Sequence, residues 1–229
     1  MVADVEAFGK GLIESMADLW GEWILVVVAV LLAAMSPGPD FIVTVRHAVG
    51  SGRKAGLMTA LGLGAGVCVH VGYCLSGIAA LVSQSILLFS VLKFLGAGYL
   101  LYLGWGALRS PGTSIDPDRV ETQGAEGLSS AAAFRKGFLT NLLNPKATLF
   151  FLALFTQIVS PGAPLSALLF YGLSAASVVV LWFCLVSVLL TTPAVRRRFL
   201  AASRWIDRVC GAFFVMVGVR LALARAPGP

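Results

Sequence analysis

Long stretches of Ile, Leu, Val, Ala and Phe alternate along this chain with short polar or basic segments. A helix needs about 20 mainly apolar residues to cross the hydrocarbon core of a bilayer. Stretches of this kind recur from Trp23 to Leu223. They predict six membrane spans, at 23–45, 55–82, 85–108, 132–159, 165–191 and 205–223. The pattern is typical of an all-α integral membrane protein.

The first span is interrupted before it can cross the membrane. Its unbroken part, Trp23 to Met35, covers roughly 20 Å at the rise of an α-helix, less than the ~30 Å core. A proline removes a backbone donor and clashes with the preceding turn, so the helix has to break inside the membrane. The residues at this break are Ser36, Pro37, Gly38, Pro39 and Asp40.

The fourth span carries a second proline break with its own ionisable group. Asn141, Asn144, Pro145 and Lys146 follow the basic pair that begins at Arg135. Lys146 lies roughly 15 Å of helix beyond the end of that pair, which places it near the middle of the membrane. Spans one and four therefore share a broken helix and a buried charge.

The paired breaks predict two inverted three-helix repeats, because three crossings separate the first span from the fourth. We divide the chain into a short N-terminal amphipathic helix at 1–22, a first repeat at 23–108, a cytoplasmic polar loop at 109–131 and a second repeat at 132–229. The N-terminal segment lies at the membrane surface in this interpretation, and a disordered tail is the alternative.

The basic residues are distributed unevenly between the loops. Twelve of the 17 Lys and Arg residues fall in the loops after spans one, three and five. The positive-inside rule places those loops in the cytoplasm and both termini on the other side. The formal charge of +6 is thus explained by membrane topology, and we expect no nucleic-acid partner.

Broken helices free backbone N–H and C=O groups, which attract anions and cations respectively. Two facing breaks near mid-membrane suit a zwitterion such as an amino acid. Asp40 can also take up and release a proton, although capping of the second half-helix is an alternative. Lys146 can pair with Asp40, bind a substrate carboxylate or extend to the membrane surface. Asn141 and Asn144 either contact substrate or satisfy carbonyls opened by Pro145.

Two features of the second span are predicted to be structural. Gly62 and Gly66 form a small-residue face on which another helix can pack closely. His70 is interpreted as a buried, hydrogen-bonded histidine, with a proton relay as the alternative. We predict no metal site, no catalytic residue and no cofactor.

The motifs resemble those of the lysine-exporter (LysE/RhtB) family over about residues 20–224. The residues that carry this resemblance are Ser36-Pro37-Gly38-Pro39, the glycine-rich second span, 96–104 in the third span, and 134–138 leading into 141–146. The resemblance implies a bacterial inner-membrane exporter of amino acids or close derivatives, driven by proton antiport. It also implies six spans and is compatible with a homo-oligomer. It leaves the transported amino acid open.

Three other functions are alternatives to the export of amino acids. An exporter of a metal cation would need clustered Cys, His or acidic ligands. A membrane enzyme would need a nucleophile with a base, or a metal site, in a common cleft. A non-transporting scaffold subunit would leave the intramembrane charges of Asp40 and Lys146 unexplained.

Overall fold

The computed structural model describes residues 2–84, 86–112, 127–158 and 164–223. Every element in these ranges is an α-helix. Most of the predicted polar loop, and most of the uncharged turn between the fourth and fifth spans, lie outside the described residues. The helices are α1 (Val2–Met35), α2 (Pro39–Gly50), α3 (Arg53–Gln84), α4 (Ile86–Leu108), α5 (Ser130–Leu142), α6 (Pro145–Ile158), α7 (Leu165–Leu189) and α8 (Pro193–Leu223).

The first and fourth predicted spans are broken as expected. The apolar part of α1 meets α2 at a bend of 61°, and α5 meets α6 at a bend of 59°. Helices α3, α4 and α7 are each long and apolar enough to cross a membrane alone, and each bent pair qualifies as one further span. Helix α8 does not qualify as a membrane span by length and composition, because charged residues are spread along it.

Two helix boundaries differ from the prediction. The N-terminal segment is helical from Val2 but continues into the first span without a break. Its position at the membrane surface stays a prediction. Helix α8 begins at Pro193 instead of Trp205, so it includes an arginine cluster that we had assigned to a loop. Proline is favoured at the first helical position, and arginine is a good helix former.

Helices α3 and α5 pack with their backbones in contact. A Cβ atom added at Gly66 would lie 2.6 Å from Oδ1 of Asn141. Gly62 lies against the backbone of Phe134, and Gly137 against the backbone of Thr59. The predicted small-residue face is confirmed, since close approach of this kind requires residues without a side chain. It places α5, and therefore the second break, directly beside α3.

Candidate functional site

At the first break the chain leaves one helix and enters another within three residues. Helix α1 ends at Met35, Gly38 is the N-cap of α2 in extended backbone conformation, and Pro39 is in the first turn. The missing N–H of proline costs little there. Asp40 lies in the same turn but is not the N-cap, and its carboxylate accepts from side chains of the second break, so its interpretation as a helix cap is wrong. Its carboxylate is next to the positive end of the α2 dipole.

The second break has the same local arrangement of helix end, proline and charged residue. Helix α5 ends at Leu142, and Pro145 begins α6. The Asn144 side-chain oxygen accepts a hydrogen bond from the backbone N–H of Lys146 at 3.0 Å, as an N-cap residue does. Lys146 follows its proline directly, as Asp40 does in the first break. The two charged residues thus occupy equivalent positions in the two half-helices.

Each break binds the charged side chain of the other. Nδ2 of Asn141 donates to one oxygen of the Asp40 carboxylate at 2.7 Å, and Nδ2 of Asn144 donates to the other oxygen at 3.1 Å. In the opposite direction, Nζ of Lys146 donates to Oγ of Ser36 at 3.0 Å and to its carbonyl oxygen at 3.4 Å. Hydrogen bonds to ionised groups are the stronger kind, so these contacts fix the two breaks against each other.

Asp40 and Lys146 are not joined directly by an ion pair. Lys146 instead binds at the C-terminal end of α1, where free carbonyls favour a cation. Of the three roles considered for Lys146, extension to the membrane surface does not agree with these bonds. The carboxylate and the ammonium are therefore held apart, each by polar groups of the opposite break.

His70 completes the second break from α3. The side chain is fully buried, and its Nε2 lies 3.0 Å from the carbonyl oxygen of Asn141. In a helix this carbonyl would accept from the N–H of residue 145, which is a proline and has none. Nδ1 lies 2.7 Å from the Tyr73 hydroxyl, so both ring nitrogens are bonded. The prediction of a satisfied buried histidine is confirmed, but its contact with the break was not predicted.

A small cavity, which we call the chamber, lies between the breaks and has a volume of about 50 Å³. A buried water needs roughly 10–15 Å³ of such space, so the chamber has room for only a few water molecules. Its walls are mainly apolar. The polar or charged residues that line it are Ser36, Asp40, Asn141, Asn144 and Lys146.

A second, wider cavity, which we call the vestibule, has a volume of about 490 Å³. It shares Ser36 and Lys146 with the chamber, so these two side chains stand between the cavities. The far wall is formed by the end of α4 and by α8, and it includes the buried carboxylate of Asp207. Sequence reasoning missed Asp207, which lies in a segment rich in arginine.

The structure brings nearly all of the predicted site residues to these two cavities. Gly38 lines the chamber with the polar residues named above, and Pro37 lines the vestibule. Pro39 and Pro145 lie in the first turns of the two half-helices. Within the described ranges, no group of three or more His, Cys, Asp or Glu side chains is placed to hold a metal ion.

Comparison with known proteins agrees with this architecture. The family model described as "LysE type translocator" matches residues 15–225. The threonine efflux protein of Escherichia coli strain K12 is 33% identical over 201 residues, which cover 85% of this chain and 94% of that protein. The leucine efflux protein of Salmonella typhimurium strain LT2 is 30% identical over 208 residues, covering 89% and 95%.

No solved structure gives a significant match to this chain. The assignment therefore depends on the sequence matches, and these extend over nearly every described helix. Proteins of this family are integral membrane transporters and not enzymes. On this evidence the chain belongs to the LysE type translocator family.

Proposed function

We propose that this chain exports neutral amino acids by antiport with protons, with the substrate bound between the two broken spans. The observation that carries the proposal is the mutual binding of the breaks. Asp40 of the first break is held by two amides of the second, and Lys146 of the second is held by Ser36 of the first. A zwitterion can replace both sets of contacts, its ammonium binding Asp40 and its carboxylate binding Lys146.

Competition at Asp40 explains how proton and substrate movement are coupled. The ionised carboxylate accepts hydrogen bonds and attracts an ammonium group, whereas the protonated form has lost that charge. Proton and substrate therefore exclude one another at this group. A substrate loaded from the cytoplasm is displaced when a proton arrives from the outside, and that proton leaves to the cytoplasm on the return step.

The side chains around the chamber favour a neutral substrate. Asp40 and Lys146 are the charged residues among its described lining, and both are used by the backbone groups of an amino acid. The remaining walls include Val67, Phe150 and Phe183. A charged substrate side chain would be buried there without a partner, which is costly. Relatives named for the efflux of threonine and of leucine agree with this class.

The helix packing supports the predicted inverted repeat of six spans. Helix α3, second in the first half, packs on α7, and α4, third in that half, packs on α8. The two breaks meet in the same way. Each predicted span thus contacts its counterpart, as expected for halves related by a pseudo-two-fold axis in the membrane plane. Together with the positive-inside rule, this arrangement supports an orientation in which both termini lie outside the cytoplasm.

Proteoliposomes containing the purified protein provide the test of coupling. We expect an imposed pH gradient to drive net movement of threonine or leucine. Asp40→Asn should abolish this net movement, because an amide cannot carry the proton. Exchange of labelled for unlabelled substrate without a gradient should persist only with a raised KM, because the amide keeps a hydrogen-bond acceptor but lacks the charge that binds the substrate ammonium.

The outcomes separate the two parts of the proposal. Absence of both net movement and exchange for all neutral amino acids in the unchanged protein would reject the amino-acid substrate. Net movement by Asp40→Asn that equals the parent protein would reject the role of Asp40. Glu22→Gln is the matched control, because it changes an acid outside both cavities, keeps an acceptor for the Tyr171 hydroxyl and should keep proton-driven movement.

A further inference from the structure

The two cavities differ in what they can hold. The vestibule, at about 490 Å³, is in the range of roughly 300–1,000 Å³ typical of small-molecule sites. The chamber, at about 50 Å³, is far below it. In this conformation an amino acid fits in the vestibule and not between the breaks.

The vestibule contains a carboxylate that the proposed transport site does not use. Asp207 is only 4% exposed and lines the cavity from α8. Oγ of Ser110 donates a hydrogen bond to its Oδ2 at 2.6 Å. In the described part of the chain the group is thus bonded to a neutral hydroxyl, and no Lys or Arg there forms an ion pair with it. A buried carboxylate without a cationic partner is costly and attracts a cation.

The lining of the vestibule also carries the complementary charge. Lys146 lines this cavity as well as the chamber, so one cavity is lined by both the Asp207 carboxylate and the Lys146 ammonium. A negative and a positive group in one cavity match the ammonium and carboxylate of an amino acid. The rest of the lining includes Leu103 and Phe214, which are apolar and suit an aliphatic side chain.

We infer that the vestibule is an entry site for amino acids from the cytoplasm, in which Asp207 binds the substrate ammonium and the Lys146–Ser36 contact separates this site from the chamber. The inference rests on the proposed function. Substrate in the vestibule presents its carboxylate to Lys146, which then exchanges its bond with Ser36 for one with the substrate. This exchange opens the path between the cavities, and the substrate passes to Asp40.

The alternative is that Asp207 only ties α8 to the end of α4 through Ser110. Two variants separate these roles. Asp207→Asn keeps an acceptor for the Ser110 hydroxyl but removes the charge, whereas Ser110→Ala removes the tie and keeps the charge. We expect Asp207→Asn to raise the KM for threonine, measured in inside-out vesicles, by about tenfold or more, with little change in maximal rate. Ser110→Ala should leave KM within about threefold of the parent value.

A substrate analogue supplies a second kinetic readout. N-acetylthreonine lacks the ammonium group, so the parent protein should have a lower KM for threonine, and Asp207→Asn should narrow this difference in KM while Asp40 still favours threonine in the maximal rate. Equal changes of KM in Asp207→Asn and Ser110→Ala would assign Asp207 the structural role and overturn the inference. An unchanged KM in Asp207→Asn would overturn it as well.

A chemical readout decides the question independently of transport. In a cysteine-free background, Ala107→Cys places one thiol on the vestibule wall. A trimethylammonium-bearing methanethiosulfonate should label it about tenfold faster than the sulfonate-bearing reagent, relative to their rates with a free thiol. Ala107 is one turn from Ser110, which bonds Asp207, and a nearby charge concentrates ions of opposite sign. Adding Asp207→Asn should remove this preference. No labelling from the cytoplasmic side, or a preference unaffected by Asp207→Asn, would reject the entry site even if the protein proves to move no amino acid.

Discussion

At the residue scale, both breaks receive a side-chain donor on a backbone carbonyl. His70 bonds the carbonyl of Asn141, and Lys146 bonds the carbonyl of Ser36. Free backbone groups inside a membrane cost several kcal/mol each unless protein or water satisfies them. At Asn141 the bond from His70 adds to the one from the Asn144 N–H at 3.0 Å, so each break is stabilised by a donor from another helix. The His70 ring is buried, whereas the Lys146 ammonium can exchange its bonds with Ser36 for a bond with substrate.

Replacement of His70 tests the buried donor. His70→Phe keeps the ring that stacks on Phe151 but leaves the Asn141 carbonyl without this bond. We expect a loss of about 0.5–1.5 kcal/mol of stability, or roughly 1–6 °C in the melting temperature of the purified protein, because the carbonyl keeps its bond from the Asn144 N–H. Tyr73→Phe, which removes the partner of the other ring nitrogen, should cost less because Tyr73 is partly exposed. A melting temperature of His70→Phe equal to the parent would contradict this account.

Replacement of Lys146 tests the donor that the substrate can take over. Lys146→Met keeps the length of the side chain and removes the ammonium that bonds Ser36. Since a hydrogen bond to a charged group contributes about 1.5–3 kcal/mol, the KM for threonine exchange should rise by about tenfold or more. Lys93→Met, on α4 and outside both cavities, is the control. A KM within threefold of the parent would exclude a contact between Lys146 and substrate.

Sequence reasoning located Asp40 and Lys146 because a proline and a charge inside an apolar stretch are local signals. It could not show that the amides of Asn141 and Asn144 hold the carboxylate of Asp40, because those contacts join residues about 100 positions apart. Asp207 was missed since its neighbours are basic. A buried stripe at helical spacing, formed by Ser203, Asp207, Cys210 and Phe214, was the available signal.

At the element scale, the contact between α3 and α5 controls the position of the second break. Asn141 lies on α5 against Gly66 of α3, and its Nδ2 is the nearer donor to Asp40. The position of this amide therefore depends on the distance between the two helices. The glycines of α3 differ in the atoms that surround them. Substitution by alanine should therefore reduce transport at a crowded glycine and leave it unchanged at an open one.

A pair of glycine variants tests this dependence. A methyl group at Gly66 would lie 2.6 Å from Oδ1 of Asn141, so Gly66→Ala should displace the amide and reduce transport severely. Gly72, on the same helix, has no atom within 4 Å of an added Cβ. Gly72→Ala should keep transport and gain up to about 1 kcal/mol of helix stability. Rates of exchange and melting temperatures measure both effects, and equal losses in the two variants would contradict the contact.

The sequence predicts helix ends well where the helix and the apolar sequence end together, and poorly where a helix continues into polar sequence. Hydropathy alone places the start of α8 too late, because 193–204 is polar. Within this extension, Phe199 stacks on Phe41 of α2 with 5.3 Å between ring centroids. This tertiary contact joins residues far apart in the chain, so hydropathy does not show it, whereas Pro193 at the first helical position is a local signal.

At the scale of the whole molecule, the charge distribution predicts the orientation in the membrane. Most of the Lys and Arg residues lie at or near the junctions between spans one and two, three and four, and five and six, so both chain ends should face away from the cytoplasm. Alkaline phosphatase fused after residue 229 should be active in a bacterial host, and a fused green fluorescent protein should remain dark. Fusions placed at residue 51, between α2 and α3, are the control and should give the opposite result. A fluorescent C-terminal fusion would refute the orientation and, with it, the even number of spans.

The tight contact of α3 with α5 has a consequence for how this transporter moves. Helices whose backbones touch cannot slide or separate without losing that fit, so we expect them to travel as one unit through the cycle. We then expect most of the movement in α1 and α6, which rotate at the two bends while α2 and α5 keep their positions. Spin labels across α3 and α5 should keep their separation when substrate is added, whereas labels across α1 and α6 should shift by several ångströms.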